Sequence, residues 1–124
     1  IIADCGFTSP WAILDVIFRS VVHIPSGLAL WSANLFARGI AKFSLKEKDT
    51  SSVLRNAKLT VFMIHGLADD FVPCHMTQEG FASCSSRKKL LLVEKAGHGV
   101  SFLVDKENYT KEIISFLEDN LDDF

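Results

Sequence analysis

Two aspartates and a histidine follow strand-like apolar runs in the second half of the chain. Asp69 and Asp70 come shortly after residues 61–64, and His98 lies between two glycines after residues 89–93. A carboxylate that accepts a hydrogen bond from an imidazole fixes the ring's tautomer and stabilises the imidazolium that forms when histidine acts as a base. These residue types therefore suit general-base chemistry, if the fold brings them together.

Strand and helix patterns that alternate along the chain explain how these loops could meet. We expect strands at residues 1–3, 61–64 and 89–93, and helices at 11–22, about 28–43, after Asp49 or Thr50, about 77–83 and at the C-terminal end. This alternation predicts an α/β fold whose parallel sheet carries helices on both faces. The carboxyl ends of its strands lie at one edge, where ligands bind in such sheets.

Local signals indicate where helices begin and which face they bury. Ser9 before Pro10 predicts an N-cap with proline at the first helical position, and Asp105 is the expected N-cap of the terminal helix. Spacing predicts that this last helix buries one apolar face, formed by Tyr109, Ile113, Phe116 and Leu117.

Composition indicates one globular domain. The chain has 124 residues, of which 48% are hydrophobic and 23% charged, and its net charge is −2 with scattered lysines and arginines. This charge distribution contains no basic cluster of the kind that binds nucleic acid or an anionic membrane. The number of cysteines, three, is odd, and their spacing is not that of a disulfide framework. We therefore expect reduced thiols and a cytoplasmic protein, with a Cys74–Cys84 disulfide as the open alternative.

The two apolar helices within residues 11–45 have two interpretations. The first is too short to span a membrane, contains Arg19, and is separated from the second by Pro25 and Gly27, so no membrane span is expected. They could form a lid over an apolar pocket or pack as buried helices. Phe7, Trp11 and Phe71 could likewise line a substrate pocket or belong to the core.

Several short segments resemble the end of the α/β-hydrolase fold of serine hydrolases. The segment HGLADDFVP is similar to the H-G-x-x-D-x-x-V-P segment that carries their catalytic acid, and AGHG is similar to the loop with their histidine. DCGFTSPW resembles the strand and loop after the nucleophile helix in bacterial esterase-like and peptidase-like members. The resemblance implies strands six to eight of that fold, with residues 58–124 bearing the acid and histidine and 11–45 a lid-like insertion.

The resemblance also implies roles for individual residues. It makes Asp69 the acid, with Asp70 as its rival, and His98 the base. The alternative is that the aspartates cap a loop or helix and that His98 is a surface histidine.

A nucleophile elbow, G-x-S-x-G, is absent from the sequence, although it precedes the acid in this family. We therefore expect the chain, residues 1–124, to be one partial domain of an ester, thioester or amide hydrolase that is inactive alone. The alternative is a non-catalytic binding or interaction module. If an upstream half is missing, the edge strand from Ile1 to Ala3 and bare apolar faces predict self-association.

No cofactor or metal is expected. His65, Cys74, His75 and Cys84 are metal-ligand types, but Cys74 and Cys84 lack the C-x₂-C spacing of a zinc pair. We interpret His65 instead as a strand-end residue that hydrogen-bonds the backbone near the acid loop.

Overall fold

A computed structural model describes residues 1–23, 25–47 and 49–120. Its parallel sheet has the order β1-β2-β3. The strands are β1 (Ile2–Asp4), β2 (Val61–Gly66) and β3 (Lys88–Val93). The helices are α1 (Pro10–Val16), α2 (Ser26–Phe36), α3 (Thr50–Leu54), α4 (Cys74–Ser83), α5 (Ser101–Val104) and α6 (Lys106–Glu118). The predicted α/β class is confirmed.

The central strand β2 is buried along its whole length because helices cover both of its faces. On one face, Phe62 and Ile64 pack against Phe116 of α6, and the Phe62 and Phe116 rings lie 5.2 Å apart. On the other face, Val61 and Met63 pack against residues of α3 and α4 and the adjoining Cys84. Strand β2 thereby holds the loop that follows it in a fixed position.

The terminal helix follows the prediction except at Leu117. The Asp105 side chain accepts a hydrogen bond from Asn108 N at 3.3 Å, which caps α6 as expected. Tyr109, Ile113 and Phe116 pack on the sheet. Leu117 is 46% exposed, so its assignment to the buried face is wrong. Because Leu117 is one residue beyond Phe116, its side chain lies about 100° farther around the helix, away from the sheet.

The two ends of the segment between β1 and α3 meet where Thr50 N donates a hydrogen bond to Thr8 O at 2.7 Å. Ser9 caps α1 through a hydrogen bond from Ala12 N to its hydroxyl, as predicted. Both apolar helices end differently from the prediction. Helix α1 widens into a π-helical segment at Ile17–Val21, and α2 does so at Ala37–Ala41.

These apolar helices have different surroundings. Ile13 of α1 packs against Val72 and Met76, next to the acid loop. By contrast, α2 leaves Leu28 and Trp31 largely exposed. Within the described ranges, no helix is long and apolar enough to cross a membrane.

Other elements also differ from the sequence prediction. Strand β2 extends beyond residue 64, because His65 and Gly66 still pair with Leu92 and Val93. Helix α4 begins at Cys74, directly after Pro73, rather than at about residue 77. The short α5 was not predicted, since its four residues carry no periodicity that distinguishes them from a loop.

Candidate active site

Asp69 is anchored in the loop after β2 by backbone hydrogen bonds. Its Oδ1 accepts from Phe71 N at 3.0 Å and from Val72 N at 2.8 Å, and its side chain is fully buried. Burial alone would raise the pKa of Asp69, but hydrogen bonds from Val72 N, His98 and Phe71 N lower it below its ordinary value. The group is thus a fixed carboxylate whose Oδ2 remains for a second partner.

That partner is His98. Its Nδ1 lies 2.9 Å from Asp69 Oδ2, and its side chain is 44% exposed. The Phe71 ring lies 5.1 Å from the imidazole. The next residue, Gly99, has φ 67°, a conformation that glycine adopts at little cost and that turns the chain sharply after His98. The contact leaves Nε2 as the nitrogen for proton transfer. Asp70, the rival acid, is exposed.

A second histidine, His65, supports the acid loop from beneath. It is fully buried, and its Nε2 lies 2.8 Å from Val72 O and 3.2 Å from Asp69 Oδ2. Because a carbonyl oxygen only accepts, Nε2 carries a proton and donates to Val72. The other nitrogen, Nδ1, lies 2.6 Å from Thr77 Oγ1 on α4. His65 therefore takes the predicted position, bonded to backbone near the acid loop.

Gly66 allows the acid and histidine loops to approach each other. A Cβ at Gly66 would lie 2.2 Å from Ala96 O and 2.9 Å from Gly97 O, both backbone atoms. Ala68 N donates to Ala96 O at 3.0 Å across the same contact. Any side chain at Gly66 would push the loops apart, so this glycine keeps Asp69 within reach of His98.

An open cleft of about 390 Å³ borders the histidine. Its apolar walls include Phe7, Ile13 and Phe71, and its lining residues are Asp4, Cys5, Phe7, Ile13, Phe71, Val72, His98 and Gly99. Two of the three predicted pocket residues, Phe7 and Phe71, therefore border the cleft. Trp11 does not: its ring lies beneath Lys46, whose Nζ is 4.0 Å from the ring centroid.

Cys5, which was not singled out from the sequence, joins this group from the end of β1. Its Sγ accepts a hydrogen bond from Gly99 N at 3.3 Å, and its backbone has φ 56°. Burial, with Asp4 and Asp69 nearby, raises the pKa of the Cys5 thiol to about 11, so the sulfur is protonated near neutral pH. A usable signal existed, because Cys5 follows a predicted strand at the same sheet edge as Asp69 and His98.

Solved structures with related folds are α/β hydrolases. An acylaminoacyl peptidase of Pyrococcus horikoshii matches with a TM-score of 0.62 at 17% identity, over 94% of this chain and 19% of that one. A metagenomic α/β-hydrolase enzyme from lagoon sediments of Mar Chica, Morocco, matches with a TM-score of 0.59 at 15% identity, over 99% of this chain and 50% of that one. A Pyrococcus furiosus esterase matches with a TM-score of 0.56 at 18% identity, over 90% of this chain and 40% of that one.

These matches identify the fold as part of the α/β-hydrolase fold, as the sequence resemblance implied. The chain spans between about a fifth and a half of the length of these neighbours. No protein-family model and no curated protein matches it at the level of sequence. The likeness to these neighbours is therefore one of fold alone.

Proposed function

We propose that this chain supplies the catalytic acid and base of a serine hydrolase. The observation that carries the proposal is the 2.9 Å contact between His98 Nδ1 and the buried Asp69 Oδ2. In this role Asp69 holds the tautomer of His98, and His98 Nε2 removes the proton from a serine hydroxyl as it attacks a carbonyl carbon. The same nitrogen then returns the proton to the leaving group.

The serine itself would come from residues outside this sequence, which has no G-x-S-x-G segment. The donors of the oxyanion hole would come from the same missing region, and loss of even one such donor costs roughly 10²–10³ in rate. The 124 residues alone are therefore proposed to be inactive. The match to only part of longer hydrolases supports this division of the site.

The proposed substrates are esters of apolar acids, with thioesters and amides as further bond types that the same residues can cleave. Phe7, Ile13 and Phe71 line the cleft beside His98 and would contact an apolar acyl group. We also infer a cytoplasmic setting, in keeping with the free thiols of Cys5, Cys74 and Cys84.

Hydrolysis of p-nitrophenyl butyrate tests this proposal. The chain of 124 residues is assayed beside a longer form extended upstream to include a nucleophile elbow, with His98→Ala and His75→Ala variants of the longer form. Activity is expected only in the longer form, and it should fall by at least roughly 10³ with His98→Ala. The exposed His75 is the matched control and should leave the rate unchanged. Equal rates for the two histidine variants would refute the assignment.

A further inference from the structure

The ends of the three strands bring a thiol, a carboxylate and an imidazole to one place. Within the part of the chain that the structure describes, Cys5 Sγ, a carboxylate oxygen of Asp69 and a ring nitrogen of His98 all lie within 4.8 Å of one another. Cys5 follows β1, Asp69 follows β2 and His98 follows β3, so the end of each strand contributes one group. The proposed catalytic pair, Asp69 and His98, uses two of these three groups and leaves the Cys5 sulfur without a role.

We propose that Cys5, Asp69 and His98 bind a single Zn²⁺-class cation. Sulfur, nitrogen and oxygen ligands together suit zinc, whereas Mg²⁺ and Ca²⁺ select oxygen alone. In a tetrahedral zinc site with ordinary bond lengths, neighbouring ligand atoms are roughly 3.5 Å apart. Separations of up to 4.8 Å therefore need to close by about 1.3 Å at most, and the 2.9 Å contact between Asp69 Oδ2 and His98 Nδ1 needs to open by about 0.5 Å, which the half-exposed His98 side chain allows.

The surroundings of the ligands support the site. Asp69 Oδ1 is held by two backbone N–H groups, which leaves Oδ2 to face the cluster. Gly99 N donates to Cys5 Sγ at 3.3 Å and would stabilise a thiolate there. Hydrogen bonds of this kind orient the ligands of metal sites. On binding, Cys5 releases its thiol proton to solvent, since a coordinating thiol is deprotonated by the ion.

The consequence for catalysis rests on the proposed function. A neutral imidazole has one nitrogen lone pair for a proton or a cation. When the cation takes the place of the proton on Nδ1, that proton moves to Nε2, so neither ring nitrogen of His98 can accept the proton of a nucleophile. Zinc binding would therefore switch off the base, and the open face beside His98 would let the ion enter and leave.

Cobalt binding tests the site directly, without any assay of activity. The reduced 124-residue chain is titrated with Co²⁺, and the near-ultraviolet thiolate-to-cobalt band is followed. The expected result is a band that saturates at one equivalent and is displaced by Zn²⁺. Cys5→Ser should abolish the band, and His98→Gln should weaken binding by at least roughly 100-fold, because even supporting residues around a metal cost 10–100-fold. The matched control Cys74→Ser, another half-buried thiol, should keep the band.

The proposal is overturned if wild-type protein gives no thiolate band, if the band survives Cys5→Ser, or if it is lost in Cys74→Ser. X-ray absorption of the zinc-loaded wild type provides a second measurement that needs no variant, and it should show one sulfur at about 2.3 Å. Failure of metal binding would leave the hydrolase assay unaffected. Failure of that assay would equally leave the cobalt result standing, so the two ideas are separable.

Discussion

Replacing Gly66 with alanine should separate the two loops that form the site. The added Cβ would lie 2.2 Å from Ala96 O, whereas ordinary contacts begin at 3.4 Å, so the atoms must move apart by about 1.2 Å. Overpacking of this kind costs about 1–3 kcal/mol of unfolding free energy. A shift of about 1 Å in the histidine loop would also stretch the 2.9 Å contact between Asp69 and His98 beyond hydrogen-bond length.

Urea unfolding of the 124-residue chain, followed by circular dichroism, measures the first effect. Gly97→Ala is the matched control, because a Cβ there meets its nearest neighbours at 3.9 Å. It should change the unfolding free energy by less than about 1 kcal/mol. In a longer, active form, Gly66→Ala should also lower the rate by about 100-fold, the cost of misplacing a catalytic group by 1 Å. Equal stability of Gly66→Ala and the wild type would refute the steric reasoning.

Three further predictions concern stability and association. His65→Leu leaves buried partners unpaired and should lower the unfolding free energy by about 1–3 kcal/mol, whereas the exposed control His75→Leu should not; equal urea midpoints would contradict this. Ser9→Ala should cost about 1 kcal/mol in the same assay, and Ser9→Asp should retain the cap. Ile2→Lys on the open edge of β1 should reduce self-association in light scattering, and a wild type that is monomeric at high concentration would count against that idea.

The sequence predicts the sheet and the meeting of Asp69 with His98 because both depend on strong local signals. Apolar runs mark β2 and β3, and the parallel arrangement then places their following loops at one edge. The caps at Ser9 and Asp105 are equally local, since each involves a backbone group three residues away. The catalytic roles of Asp69 and His98 stay predictions.

Other features depend on tertiary contacts that no short window contains. The π-helical segments after α1 and α2 break no sequence pattern, because the change to i→i+5 hydrogen bonds leaves the apolar composition unchanged. The position of Cys5 after a predicted strand is a local signal, but the partner of its sulfur is not. Its neighbour Gly99 is 94 residues away in the sequence, and only the assembled sheet brings the two together.

The long sequence separation between β1 and the later segments that it contacts has a consequence for folding kinetics. Asp69 and His98 are 29 residues apart, whereas Cys5 and Gly99 are 94 apart and Asp4 and Tyr109 are 105 apart. Closing the longer loops costs more chain entropy, so the β2–α4–β3 unit should form first and β1 should dock late. Cys5 would then reach its neighbours in the last step, and a ligand held by all three strands would bind only chains that have finished folding.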